Sequence, residues 1–348
     1  MDFRDLKIGY SSYSFDCSAP GDRRRFAFYA KEKGISINIA DPSKEYDIVY
    51  ITTSSNIGKW IDYKKANPST KLIFEIIDSY LLEKKSIKVY LKGLFRYLTG
   101  KDKRFYLNYQ NAFINIIKIA DAVVCSTPIQ QEHIAFYNKN VHISLDYFSD
   151  DITQHKKDIT VGKKIKLVWE GQAYTVKNLL ELNDVFKTLT DKVELHIITD
   201  RKIKSPFKAF DKSTDDMLKS LSCTYHLYDW EKESFSGIIA GCDLAIIPMS
   251  MSDMLIFNKP ENKLLLFWEI GIPVLTSATP AYKRVMEQAG LDYYCTSHSD
   301  WVNKISSFVN NSPEQSRTDI EKALRYLKKT HNKEYIIKNW DEIFLSVR

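Results

Sequence analysis

The 348-residue sequence is poor in features that would mark a disulfide-stapled, membrane-spanning or low-complexity protein. Its five cysteines (Cys17, Cys125, Cys223, Cys242 and Cys295) are odd in number, scattered and without a CxxC pair. That argues against a disulfide framework and against a zinc site, and it fits a reducing compartment. Only 12 residues are glycine, so flexible low-complexity linkers are not expected. No run of about eighteen apolar residues occurs, so no helix is expected to cross a membrane. The opening residues carry charges throughout and lack an apolar stretch, so no secretory signal is read there and a cytoplasmic protein is expected. No D-x-D pair stands at a strand end, and Asp215 with Asp216 reads as a helix cap, so no metal is expected. The histidines offer no catalytic candidate: His133 falls inside a predicted helix and His196 inside a predicted strand.

What is present is a globular composition, with 44% hydrophobic and 27% charged residues, in a chain long enough for two domains. The formal charge of +6 is mild, so where the excess sits matters more than its size. Short apolar runs alternate with amphipathic ones. Strands are predicted at Lys7–Ser12, Ile35–Ala40, Asp47–Thr53, Lys71–Ile77, Ala122–Ser126 and Val141–Leu145. Between them lie helices at about Arg23–Lys33, Ile57–Lys65, Phe105–Ile119 and Gln130–Tyr137. The pattern turns polar from Tyr147 to Lys164 and then restarts, with strands at Ile165–Trp169, Val193–Ile198, Cys223–Leu227, Leu244–Pro248 and Val274–Ser277. Lys177–Leu189, Asp215–Leu221, Phe235–Ala240, Glu261–Ile270 and Tyr282–Gln288 are the second set of helices. Strands alternating with helices imply parallel sheets covered on both faces. The reading is α/β: two Rossmann-like, doubly wound domains facing a central cleft. Residues 1–158 form the first and 159–333 the second, with a C-terminal helix at 334–348 packing back on the first.

In open α/β sheets ligands bind at the carboxyl ends of the strands. Three such loops of the second half carry candidate chemistry. In Glu170–Asn178, Gly171 allows close backbone approach, Gln172 offers an amide and Lys177 stands at a helix start. In Thr199–Lys202, Asp200 or Arg201 is placed to touch a ribose or base. The third loop is Asn258–Pro273, where Lys259, Glu261, Asn262 and Lys263 meet the start of a helix. Free backbone N–H groups and the helix dipole favour an anion there. Lys263 adds a point charge, and Asn262 either caps the helix or donates to an oxygen. Two lysines from separate loops suit a diphosphate, although singly each also reads as a solvated charge. Trp230 reads either as a base-stacking ring or as a packing residue. In the first half, Asp78 at the end of a strand either faces an acceptor hydroxyl or caps the next turn.

Two stretches resemble a known family. Gly171, Gln172, Lys177, Asn178 and Leu179 resemble its G-R-x-x-x-x-K-N-L pattern. Lys259 to Val274 resembles its K-S-P-N-K-L-L-E-Y-M-A-x-G-x-P-V. These are motifs of the retaining, two-domain, B-type glycosyltransferases, which include bacterial sugar transferases of surface-polysaccharide synthesis. Ala19 to Arg23 resembles the family's first glycine-containing loop, which implies that Gly21, Asp22 and Arg23 face the acceptor or the phosphates. Two departures stand out. The family's arginine is Gln172 here, with Lys263, Arg201 or an arginine among Arg23–Arg25 as substitutes. Its paired glutamates fall at Asn258 and Leu266, and Glu261 is left to offer a carboxylate to the sugar or ribose.

The resemblance implies the GT-B architecture and a metal-independent, retaining transfer from a UDP- or GDP-linked sugar, with no further cofactor. Lys177, Lys263 and helix-start N–H groups would stabilise the departing diphosphate, and the acceptor would be a glycan or a polyprenyl-linked molecule. A non-catalytic glycosyltransferase-like subunit and a nucleotide-sugar epimerase are the alternatives. Lys84–Arg104 adds a separate feature. On a helical projection Ile87, Tyr90, Leu91, Leu94, Phe95 and Leu98 share one face, and Lys85, Lys88, Lys92 and Arg96 the next. This reads either as a helix lying on an anionic membrane surface, at the inner face of the cell membrane, or as an ordinary surface helix. Nucleic acid is not an expected partner, because the basic residues fall in no recognised binding fold.

Overall fold

The computed structural model describes residues 3–83, 87–157, 162–203, 211–308 and 313–348. Its contacts divide the chain into two compact units. The first comprises Met1–Tyr147, Asn258–Pro260 and Asn332–Arg348; the second comprises Phe148–Phe257 and Glu261–His331.

The first unit runs β1 (Ile8–Ser11), α1 (Pro20–Arg23), α2 (Phe26–Lys33), β2 (Ile37–Ile39), β3 (Ile48–Thr52), α3 (Ile57–Ala66) and β4 (Lys71–Glu75). It continues through α4 (Ile87–Leu98), α5 (Gln110–Ile119), β5 (Ala122–Cys125), α6 (Pro128–Ile134) and β6 (Val141–Ile143). The six strands form one parallel sheet in the order β2-β1-β3-β4-β5-β6. Every residue of β3 is buried, as a strand covered on both faces by crossover helices requires.

The second unit runs β7 (Ile165–Glu170), α7 (Val176–Leu180), α8 (Asn183–Thr188), β8 (Val193–Ile198), β9 (Lys202–Ile203), β10 (Lys212–Ser213), α9 (Thr214–Leu218) and β11 (Thr224–Tyr228). Then come α10 (Phe235–Ala240), β12 (Leu244–Ile247), α11 (Met254–Phe257), α12 (Asn262–Ile270) and β13 (Val274–Ser277). It closes with α13 (Pro280–Gln288), β14 (Tyr294–Cys295), α14 (His298–Phe308) and α15 (Pro313–Thr330). Its parallel sheet has the order β11-β8-β7-β12-β13-β14, and β9 and β10 form a separate antiparallel pair. Helix α12 is apolar nearly all round and accordingly buried, and Gly271 ends it at a φ of +88° that an L side chain would strain.

The C-terminal helix α16 (Lys333–Leu345) belongs to the first unit. Its Trp340 is fully buried, with ring centroids 5.8 Å from Tyr29, 5.9 Å from Tyr50 and 6.1 Å from Phe26. Phe344 stacks on Phe26, and Asp341 accepts from the Tyr29 hydroxyl at 2.8 Å.

Several expectations are corrected. The domain change comes at Tyr147, earlier than residue 158, because the polar stretch that follows is bonded into the second unit. The backbone N–H groups of Thr153 and Gln154 donate to Ser236 Oγ, and the Lys156 N–H donates to Ile270 O. The single helix expected over 23–33 is two, broken at Arg24 and Arg25, since the Arg25 side chain is drawn into the core. The helix expected from Phe105 begins at Gln110, because Asp102 collects the Gly58 and Arg104 N–H groups and the Tyr109 hydroxyl and holds the approach in a loop. The helix expected over 177–189 is the pair α7 and α8, and β4 stops at Glu75 rather than Ile77.

Candidate functional site

Strands β7 and β12 are neighbours in the second sheet, so the loops after them leave side by side at its carboxyl edge. Gly171 opens the first loop. A Cβ there would lie 2.7 Å from the Trp169 ring and 2.9 Å from Thr175 Oγ1, so only glycine lets the chain pass between them. Its N–H donates to Ile198 O, fixing the loop against β8. Gln172 follows and is exposed. Lys177, in α7, reaches Asp253 in the loop after β12, with Nζ 3.4 Å from Oδ2 and both groups open to solvent.

Lys263, in the first turn of α12, reaches back to the end of β7. Its ammonium donates to the Glu170 carbonyl, lies 3.3 Å from the Glu170 carboxylate and sits over the Trp169 ring, 5.4 Å from its centroid. It remains partly exposed, at 27% of its side chain. Beside it, Glu261 is buried and paired with Arg284 of α13. Burial pushes the Glu261 carboxyl above the usual carboxylate range, and the Arg284 charge opposes that shift. Burial likewise raises the fully enclosed Tyr282 hydroxyl, with the charges of Glu261 and Glu170 adding to it.

Four buried polar atoms of this unit lack a hydrogen-bond partner in the protein: Glu261 Oε2, Asn178 Oδ1, Thr199 Oγ1 and Thr279 Oγ1. Each leaves a strand end or helix start of the second sheet's carboxyl edge. Buried polar groups without a protein partner are uncommon in folded proteins, and these four are open to a partner that the protein itself does not supply.

The other candidates of this unit behave differently. Asn262 does not cap α12: the cap position is Glu261, no side chain bonds there, and Asn262 is the first helical residue. Arg201 is engaged, its Nε donating to Asp229 at 2.8 Å and its Nη2 to Leu227 O at 3.2 Å, so it does not replace the missing arginine without leaving those bonds. Asp200 is exposed, and its carbonyl accepts from Thr214 Oγ1. Trp230 stacks on Phe235 at 5.4 Å and 21°, a packing contact beside the end of β11. Lys259 clusters with the first unit rather than with Lys263.

In the first unit the glycine-containing loop is built around Asp22. Its buried carboxylate accepts from the Tyr10 hydroxyl at 2.5 Å, from the Tyr13 N–H at 2.8 Å, and from the Ser14 N–H and hydroxyl at 2.9 Å. Asp22 therefore shapes this loop and does not cap the following helix. Gly21 is required by the Tyr13 ring, 2.8 Å from where its Cβ would be. Arg23 donates to Ser18 O at 2.9 Å. Arg25 is not available to a ligand: it is fully buried, 2.6 Å from Glu75 and 3.1 Å from Asp146. Asp78 lies three residues beyond the end of β4, where its carboxylate accepts from Tyr80 OH at 3.3 Å. With Ser79, Gln130 and His133 it lines a shallow, mostly apolar pocket with Ile76 and Ile134.

Sequence reasoning missed Glu170, Arg284 and the Arg25–Glu75 pair. Glu170 carried one usable sign, an acidic residue directly before the loop glycine. Arg284 carried none, because it comes from a different strand–helix unit.

No protein-family model matches the chain, and no curated protein matches its sequence. Solved structures do match in shape. HepE of Anabaena in complex with UDP superposes with a TM-score of 0.66 at 12% identity, over 98% of this chain and 100% of that one. WaaG, a glycosyltransferase involved in lipopolysaccharide biosynthesis, gives 0.58 at 14% identity, over 97% and 99%. The chain has the GT-B fold. TarM of S. aureus gives 0.57 at 13% identity, and the match covers 85% of this chain but only 55% of TarM, so the chain spans about half of that protein. At these identities the likeness establishes the GT-B fold and leaves activity to the residues of the site.

Proposed function

We propose that this chain is a glycosyltransferase that binds a nucleotide-sugar donor at the carboxyl edge of its second sheet. Its acceptor would be a glycan or lipid-linked molecule of bacterial surface-polysaccharide synthesis. The observation that carries the proposal is that Lys263, at the start of a buried helix, reaches Glu170 directly before the Gly171 loop, while Lys177 from the helix after that loop reaches Asp253 in the loop after β12. Two proteins of similar shape, HepE and TarM, hold UDP in their solved structures, which supports a nucleotide as the ligand class.

In this reading the diphosphate lies against the first turn of α12, where N–H groups and the helix dipole favour negative charge. Lys263 exchanges its Glu170 contacts for a phosphate oxygen, and Lys177 leaves its solvent-exposed partner Asp253 to do the same. Both charges, with Arg284 behind Glu261, stabilise the diphosphate as the glycosidic bond to it breaks, without a metal ion. Glu261 Oε2 accepts a hydroxyl from the ribose or the sugar. An acceptor hydroxyl bonds to the anomeric carbon with the configuration retained as the diphosphate leaves and takes up the hydroxyl proton, and this reading assigns Asp78 of the first unit to the acceptor.

Calorimetry of the whole chain against UDP, GDP, ADP and CDP tests the site. Binding of one of them, weakened tenfold or more by Lys263→Ala, is expected, since a charge-assisted contact contributes about 1.5–3 kcal/mol. Absence of binding to all four would turn the reading to a non-catalytic subunit. Binding followed by conversion of a donor sugar to its epimer without acceptor would turn it to an epimerase.

A further inference from the structure

The edge of the second sheet furthest from β14 carries a cluster that the donor site does not use. Strand β11 is that edge and pairs in parallel with β8, with His226 opposite His196 and Thr224 opposite Glu194. Alternation sends Val193, Leu195 and Ile197 into the core and turns Glu194 and His196 to the other face. Tyr225 and Leu227 pack on the same core, which leaves His226 and Tyr228 beside Glu194 and His196. The two imidazole rings are 4.9 Å apart between centroids and tilted by 30°. Glu194 Oε1 lies 3.5 Å from His196 Nε2, and the Tyr228 hydroxyl lies 3.0 Å from His196 Nδ1. One side-chain ligand atom from each of Glu194, His196 and His226 lies within 4.8 Å of the others.

We propose that Glu194, His196 and His226 bind a divalent transition-metal ion of the zinc class, which clips the edge strand β11 to β8. Two imidazole nitrogens and a carboxylate are a three-ligand set that leaves a fourth position to water. In a tetrahedral zinc site neighbouring ligand atoms are about 3.4 Å apart, from bonds of about 2.0–2.1 Å. The Glu194–His196 pair already has that spacing. The remaining pairs close by rotation of His226, which is exposed, and of Glu194, which is half-buried. His196 is the fixed member. With Nδ1–H donating to Tyr228, its Nε2 lone pair faces the ion, the outer-shell arrangement that orients metal-bound histidines. Lys166, the cross-strand neighbour of Glu194 on β7, shares the face and is exposed, so its positive charge opposes a cation there from a solvent-screened position.

The test uses the whole chain after chelator treatment, titrated with Zn²⁺ in thermal unfolding and with Co²⁺ in absorption spectroscopy. A saturable rise in melting temperature, one ion per chain, and ligand-field bands without a thiolate charge-transfer band are expected. His226→Ala should abolish all three, and Tyr228→Phe should weaken binding about tenfold or more. Both positions are on the sheet's outer face, and far-UV circular dichroism checks that the variants fold. Absence of saturable binding, binding undiminished in His226→Ala, or a thiolate band from the free cysteines would overturn the proposal.

Discussion

Lys263 is the residue on which the proposed donor site turns. Its ammonium is held by the Glu170 carbonyl and carboxylate and by the Trp169 ring, so it is oriented before any ligand arrives. Pre-ordering of this kind lowers the entropy lost on binding. Arg25 is a residue of the opposite type. It is fully buried with Glu75, and burial pushes the Glu75 carboxyl up against the lowering charge of Arg25. Removing one partner leaves a buried charge alone, so Arg25→Met should destabilise the protein by about 3–5 kcal/mol. Adding Glu75→Leu should recover much of that loss; urea unfolding of both variants checks it, and an equally unstable double variant would refute the account. His142 gives a pH dependence. Burial holds its imidazole below the ordinary value of 6.5, against the opposing charge of Glu342. Just below 6.5 the unfolded chain therefore binds more protons than the fold, so this contribution to stability is lost as pH falls through 6.5. Melting temperatures measured from about pH 8 to 5 should fall on the acid side, less steeply for His142→Gln. His196 has the same sign.

At the scale of elements, α12 and α4 contrast. The buried apolar length of α12 was readable because a helix hydrophobic all round has to be enclosed. Helix α4 keeps large apolar side chains outside: Leu91, Leu94, Phe95 and Leu98 are all exposed, Leu98 at 72%, and Phe105 and Leu107 extend the patch. Residues 84–86, and the side chains of Lys88 and Lys92, lie outside the described residues. Arg96 departs from the expected basic face. Its Nη2 donates to Ser55 O at 2.9 Å and its guanidinium covers the Tyr109 ring, so it anchors the helix to the body. Among the described residues no helix is long and apolar enough to cross a membrane. An exposed apolar stripe of this kind fits a helix that lies on a lipid surface, as the proposed lipid-linked acceptor requires. Leu94→Glu with Leu98→Glu should abolish sedimentation with anionic vesicles while leaving nucleotide binding unchanged. Undiminished sedimentation would remove the membrane reading.

At the scale of the molecule, the last helix completes the first unit. Trp340, Ile343 and Phe344 are buried against Phe26, Tyr29 and Tyr50 from the opening third of the chain. A chain ending at His331 should lose the near-ultraviolet aromatic signal of that cluster and the cooperative unfolding of the first unit. A truncated chain with an unchanged aromatic spectrum would show that α16 is dispensable.

The order of strands and helices and the parallel sheets were legible in the sequence, because hydrophobic period and strand–helix alternation are local, and the GT-B fold was legible through the resemblance of two motif stretches. The Lys263 loop was legible too, since its residues are consecutive. What the sequence left open was set by contacts between distant segments. Asp22 spends its oxygens on Tyr10, Tyr13 and Ser14, Arg25 crosses the core to Glu75, and Arg284 comes from the following strand–helix pair to meet Glu261. Whether a charged side chain faces a ligand, a partner or the core depends on what packing brings beside it. No period or motif within one segment carries that information.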